Sequence, residues 1–219
     1  MTSLQDLVHR WHAGWRASRD LPAADVSEDR LWIHCAQPSR EFEAFALRAD
    51  EDPESIARIA GQVLVTKERT WLTAATRSPE RTLAAVEAAG LEVLHRSEWL
   101  MGTDLTSHPR RPLDGAYTCD VRVEGSAIKV AIHDGSGEVA ARGQIGLAGA
   151  DAVADRIETM PEHQRRGLGG VVMGTLAAEA VARGARNGLL IASEDGQRLY
   201  STLGWDRLAD VVIAQAPGG

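Results

Sequence analysis

PEHQRRGLGG, residues 161–170, sets a basic, glycine-rich turn between a strand-like run at 152–159 and a helix-like run whose apolar stripe is Leu168, Val172, Leu176 and Ala180. The first amides of a helix have no intrahelical acceptor and lie at the positive end of its dipole, so such a turn attracts a phosphate-bearing ligand. Gly167, Gly169 and Gly170 remove side chains where the ligand must approach. A glycine also adopts positive φ without steric cost, which turns its N–H toward an oxygen anion. Arg165 and Arg166 add positive charge to the same turn.

Downstream, Gly184 stops the helix and Asn187-Gly188 turns the chain into a short buried strand at 189–192. Ser193 is placed to cap a further helix, with Glu194 and Asp195 in its first turn, Leu199 and Tyr200 on it, and Gly204 after it. A last strand is expected at 211–215. Upstream, strands are expected at 118–123, 127–133 and 138–147, with a hairpin turn in DGSG at 134–137. Gly143, Gly146 and Gly149 read as bulge or turn positions, because no helical pattern follows them as a dinucleotide loop requires.

The first half is α/β in its own right. Leu4, Leu7, Val8, Trp11 and Trp15 recur at helical spacing up to a stop at Asp20, Leu21 and Pro22, and the tryptophans read as core residues. Strands are expected at 31–36, 41–48 and 71–76, a helix from Pro53 to about Gly61 capped by Asp52, a helix from Ser78-Pro79 to Gly90, and a long strand at 91–105. LTSHPRRPLDG, ending at Gly115, holds two prolines and little to bury, so it reads as a linker. The expected division is an amino-terminal α/β domain at 1–104, a linker at 105–115 and a second domain at 116–219.

The 219 residues carry a formal charge of −7, shared between halves with 13 basic and 17 acidic residues in 1–110 and 11 and 14 in 111–219, which argues against a nucleic-acid surface. Cys35 and Cys119 lie far apart, outside any cluster, so neither a disulfide framework nor a zinc site is indicated. His9 and His12 have ligand spacing but no third partner, and no metal is expected. The amino terminus lacks an apolar signal core, and the longest weakly polar run, 171–182, is broken by Glu179. A cytoplasmic protein with no membrane contact is expected.

Gln164, Gly167 and Gly169 match a phosphate-turn pattern of Gln or Arg, two residues, Gly, one residue, and Gly or Ala. RLYSTLGW at 198–205 follows about thirty-five residues later. In this order the two motifs resemble the GNAT superfamily of acyl-CoA-dependent N-acetyltransferases. The resemblance covers 152–204 firmly and extends from Tyr117 to the end. It implies an α/β fold with a mixed, mainly antiparallel central sheet flanked by helices.

The resemblance implies that acetyl-CoA is the co-substrate, its pyrophosphate held by backbone amides of Gln164, Arg165, Arg166, Gly167, Leu168, Gly169 and Gly170. It also implies that backbone groups at Thr159 and Met160 pair with the pantetheine arm, that an amide near Met160 stabilises the oxyanion, and that Tyr200 protonates the leaving thiolate. Ser193 stands where the family often has Asn. For the general base the candidates are Asp155, which shares the two-residue phase of Thr159 in a regular strand, and then Glu158. The reaction implied is direct attack by a primary amine of a small molecule or peptide in a ternary complex. The alternative is a coenzyme-A-binding regulatory module without catalysis. A nucleotide-binding protein ranks last, because the turn lacks a Walker lysine.

The chain departs from the family where only Glu124, Gly125 and Ser126 separate two strands that in GNAT proteins are joined through helices walling the acceptor site. The amino-terminal half is therefore expected to supply that wall. It is compatible with a degenerate GNAT-like half, although no glycine turn occurs in it. The acceptor is open in sequence, and both monomer and homodimer are compatible with it.

Overall fold

The computed structural model describes residues 2–218, and its elements follow the sequence pattern closely. Helix α1 (Leu4–Arg19) begins where the Ser3 hydroxyl accepts a hydrogen bond from the Asp6 amide and ends on Asp20 in the left-handed region. The strands are β1 (Asp25–Val26), β2 (Arg30–Gln37), β3 (Arg40–Ala46), β4 (Thr70–Thr76), β5 (Glu92–Asp104), β6 (Thr118–Glu124), β7 (Ala127–His133), β8 (Val139–Ala148), β9 (Asp151–Thr159), β10 (Asn187–Ala192) and β11 (Asp206–Gln215). The other helices are α2 (Glu54–Val65), α3 (Pro79–Ala88), α4 (Leu168–Ala182) and α5 (Glu194–Thr202).

Among the described residues eleven strands join one mixed sheet in the order β1-β2-β3-β4-β11-β5-β10-β9-β8-β7-β6. Only β3–β4 and β9–β10 are parallel; the remaining pairings are antiparallel. The centre of the order holds the main topological fact. β5, from the first half, lies between β10 and β11, while β11, the last strand of the chain, lies between β4 and β5. Each half thus inserts its final strand into the other's side of the sheet.

The run β3-α2-β4-α3-β5 repeats the type and pairing of β9-α4-β10-α5-β11. The loop equivalent to the glycine turn, between β3 and α2, carries Asp50, Glu51 and Asp52. Three carboxylates repel a pyrophosphate, so the repeat preserves the framework without the phosphate site.

Alternation along the strands separates two apolar faces. Phe45, Ala75, Val153, Val211 and Ile213 pack with α1, whereas Ala44, Ala46, Leu72, Ala74, Val212 and Ala214 pack with α2 and α3, and Ile145, Ala152 and Ala154 pack with α4. Helix α1 therefore crosses one face, and α2, α3 and α4 cover the other. Two bidentate bridges pin α1 to β9: Arg10 donates to Asp151 at 2.8 and 2.6 Å, and Arg19 donates to Asp155 at 2.7 and 2.7 Å. The hydrogen bond from Arg10 holds the Asp151 carboxyl below the usual carboxylate range.

Three local expectations change. The α2 cap position is Pro53 with no side-chain cap bond, and Asp52 instead accepts from Arg58 at 2.6 Å. Helix α2 also continues past Gly61 to Val65, because Ile56, Ile59, Ala60 and Val63 keep one buried stripe while Gly61 sits over open space. The stretch 105–115 is packed rather than bare: Leu105 is buried, and the Pro109 carbonyl and Arg110 Cα lie against Gly174 of α4.

Helix α1 meets β8 through glycines. A Cβ on Gly146 would lie 2.0 Å from the Gly14 carbonyl oxygen and 2.4 Å from the Ser18 amide nitrogen, and backbone atoms cannot swing aside as a flexible side chain can. Gly146→Ala is expected to destabilise the fold by about 1–3 kcal/mol through overpacking. Chemical denaturation checks this, and a midpoint equal to that of the wild type would contradict the tight crossing.

Candidate functional site

Strands β9 and β10 pair only over Asp151–Val153 with Asn187–Leu189, and beyond that point they splay. The β9 edge facing β10 is left without ladder partners from residue 154 onward. A bulge adds to the divergence: the β8–β9 register shifts between Arg142 and Gln144, and Arg156 within it has φ 53°. The regular two-residue phase predicted for Asp155 and Thr159 is therefore interrupted.

At the wide end of the splay stands the glycine turn. Arg165 and Gly167 take φ of 60° and 80°, and Gly167 is the residue immediately before α4, without a side-chain cap. Gly170 and Val171 donate back to the Gly167 carbonyl at 3.0 and 3.2 Å. Among the described residues none accepts a hydrogen bond from the amides of Arg165, Arg166, Gly167, Leu168 or Gly169. This row of donors at the start of a fifteen-residue helix is suited to a pyrophosphate.

A cleft of about 1010 Å³ runs from this turn between β9 and α5. Thr159, Gln164, Arg165, Gly167, Leu168, Gly169, Gly170, Ser193 and Tyr200 line it. Ser193 caps α5, its hydroxyl accepting from the Gly196 amide. Two predicted residues sit otherwise. Arg166 is drawn off to donate to the Tyr117 hydroxyl at 2.9 Å, and the Met160 amide donates to the Ala140 carbonyl at 2.9 Å. Met160 therefore has no free amide for an oxyanion; the unpaired edge of β9 lies earlier in the strand.

Arg111 was not anticipated. Its side chain lies over Gly170, where a Cβ would come 2.8 Å from Cδ, and it lines the cleft beside Arg165. PRRP had been read as linker, so nothing local marked Arg111; its approach depends on the 105–115 stretch packing on α4.

The cleft adjoins an inner pocket of about 220 Å³, the two sharing Glu98, Arg156, Ile157, Ile191 and Tyr200 as lining residues. Trp11, Trp15 and Arg19 of α1, with Trp71 of β4, wall the inner space. The two tryptophans of α1 are thus buried core, as predicted, and pocket wall as well.

Tyr200 stands at the junction, 8% exposed, and burial, with the Asp155 charge added, pushes its hydroxyl up to about 12. It remains a protonated donor across the physiological range. Neither predicted base is free. Asp155 accepts from Nε and Nη2 of Arg19, from Gln144 at 3.1 Å and from Ser18 at 3.3 Å, and Glu158 is exposed, paired with Arg142, and outside the cleft. Glu98 of β5, by contrast, lines both spaces and has no ion-pair partner among the described residues. Burial raises its carboxyl above the usual range. It lies in the first half, about sixty residues from the glycine turn, where no local motif pointed to it.

The comparisons with known proteins agree with this geometry. A model of the family described as FR47-like protein matches residues 150–212. A GCN5-related N-acetyltransferase from Kribbella flavida superposes with a TM-score of 0.75 at 13% identity, covering 100% of this chain and 98% of that one. The chain carries the GNAT fold. A GCN5-related N-acetyltransferase from Sphaerobacter thermophilus aligns with a TM-score of 0.60 at 12% identity over 85% and 76% of the two chains. A tandem GNAT protein of the clavulanic acid biosynthesis pathway aligns with 0.59 at 12% over 84% and 77%, in keeping with two GNAT-like halves in one chain. No curated protein matches the sequence.

Gly167→Asp places bulk and negative charge against the amide row at a backbone φ that disfavours a side chain, and is expected to weaken acetyl-CoA binding at least tenfold. Arg111→Ala is expected to weaken it by several-fold with little change in thermal stability. Calorimetry checks both, and unchanged affinity would remove the turn or the arginine from the site.

Proposed function

We propose that the protein transfers an acetyl group from acetyl-CoA to a primary amine by direct attack in a ternary complex. The observation that carries this reading is the unpaired amide row before α4, opening on a cleft that leads along the splayed edge of β9 to a buried, protonated tyrosine. The GNAT fold supports acyl transfer in general, and the geometry of these residues supports the finer steps.

The pyrophosphate rests on the amides from Arg165 to Gly169, with Arg165 and Arg111 balancing its charge. The pantetheine arm lies along β9 as an added strand, which requires backbone groups and no particular side chains. The ammonium form of the acceptor gives a proton to Glu98, and the lone pair so freed forms the C–N bond at the thioester carbonyl. Negative charge gathers on the carbonyl oxygen, where an amide of the open β9 edge stabilises it. The carbonyl re-forms as the C–S bond breaks, the Tyr200 hydroxyl gives its proton to the departing sulfur, and the second proton leaving the nitrogen restores the Tyr200 hydroxyl. Glu98 replaces Asp155 and Glu158 in this account because it alone of the three is unpaired and faces both spaces.

A base with a raised pKa must be deprotonated to act, so kcat/KM is expected to rise with pH through a value above the ordinary carboxylate range. Glu98→Gln is expected to lower kcat by ~10²-fold or more and to abolish that limb of the profile. Tyr200→Phe is expected to lower kcat with little effect on acetyl-CoA affinity. Thiol release over a pH series, paired with calorimetry, measures both variants. An intact pH limb in Glu98→Gln would exclude Glu98 as the base, and equal losses of binding and turnover in Tyr200→Phe would assign that ring to packing.

A further inference from the structure

The inner pocket states more about the acceptor than its being an amine. Most of its charges are already satisfied. Arg19 is paired with Asp155 and lies over the Trp15 ring at 4.9 Å; Arg40 donates to Glu43 at 2.6 Å and lies over the Trp71 ring at 4.2 Å; Thr73 donates to Glu43 at 2.6 Å. His95, at the edge, meets Trp71 ring to ring. Two charged residues remain without an ion pair among the described residues, Glu98 and Arg156, and they are of opposite sign. Both line the donor cleft and the inner pocket, so both stand at the junction where the acyl group is handed over. Deeper in, the walls are Trp11, Trp15, Trp71, Ile213 and Ala154.

Arg156 reaches this place through the β9 bulge, at a φ of 53° that a long side chain disfavours. Such strain in a strand beside a cleft is a frequent mark of a residue held for function. Glu98 is half-buried, whereas Arg156 is exposed and also lines two outer clefts, so the junction offers an ammonium a partly desolvated carboxylate and offers a carboxylate a guanidinium at the solvent-facing mouth. The volume of 220 Å³ falls below the roughly 300–1,000 Å³ of sites for drug-sized ligands, which favours a single small molecule.

Resting on the acetyltransferase reading, we propose that the acceptor is a free α-amino acid with an apolar side chain. Its amine meets Glu98, its carboxylate meets Arg156, and its side chain enters the tryptophan-walled pocket. A polyamine or aminoglycoside would place further cations beside Arg19 and Arg40 with no free carboxylate to receive them. The amino terminus of a peptide would present an amide where Arg156 expects a charge.

The test titrates intrinsic tryptophan fluorescence of the full chain, with and without coenzyme A, against leucine and phenylalanine, their amides, and isopentylamine and phenethylamine. The free acids are expected to bind roughly ten- to a hundredfold tighter than the amides or amines. In thiol-release assays with acetyl-CoA their kcat/KM should follow the same order. Arg156→Asn, a residue suited to positive φ, is expected to bring the acid-to-amide ratio near one. Equal or tighter binding of the amides or amines would overturn the proposal, as would a ratio that survives in Arg156→Asn. Calorimetry keeps the two readings apart: failure to bind acetyl-CoA would overturn the acetyltransferase function itself, whereas acetylation of amines without carboxylate preference would overturn only the acceptor.

Discussion

The arrangement of the site depends on β5 lying between β10 and β11. Antiparallel pairing on both sides fixes its register, with Leu100 opposite Ile191 and Glu98 opposite Val211, and so delivers a carboxylate of the first half to the end of the cleft built by the second. The return insertion of β11 beside β4 fixes the Trp71 wall against the same centre. Backbone ladders are indifferent to side chains, so the exchange leaves Glu98, Trp71 and Tyr200 free to serve the pocket.

Helix α1 closes the arrangement. A small, side-chain-free crossing at Gly14 and Gly146 brings it close to β8, and the bridges from Arg10 and Arg19 hold it along β9. Helix α1 thereby walls the inner pocket with Trp11, Trp15 and Arg19, and in the function proposed here that pocket takes the acceptor. The same contact occupies Asp155: its carboxylate is engaged by two guanidinium nitrogens, a hydroxyl and an amide, and so seats the helix.

The donor side was largely legible because its chemistry is local. Gln164, Gly167 and Gly169 sit within six residues, their role depends on backbone amides at one helix start, and the turn folds as the sequence pattern implies. Ser193 and Tyr200 follow by position on the next helix. The misplaced residues share a cause: Arg166 and the Met160 amide were assigned by proximity in sequence, and each is claimed by a partner distant in it, Tyr117 and Ala140. The phase argument for Asp155 assumed a regular strand and could not foresee the bulge at Arg156.

By itself the sequence determined the order of strands and helices, the mixed α/β class and the glycine turn that opens α4, since each rests on spacing or turn chemistry within a few residues. Tertiary structure alone decided which carboxylate lacks an ion pair among the described residues, which arginines face the cleft and what walls the inner pocket. Those properties depend on strand exchange and on ion pairs between segments more than a hundred residues apart, such as Arg19 with Asp155, and pairing over that distance has no local signature.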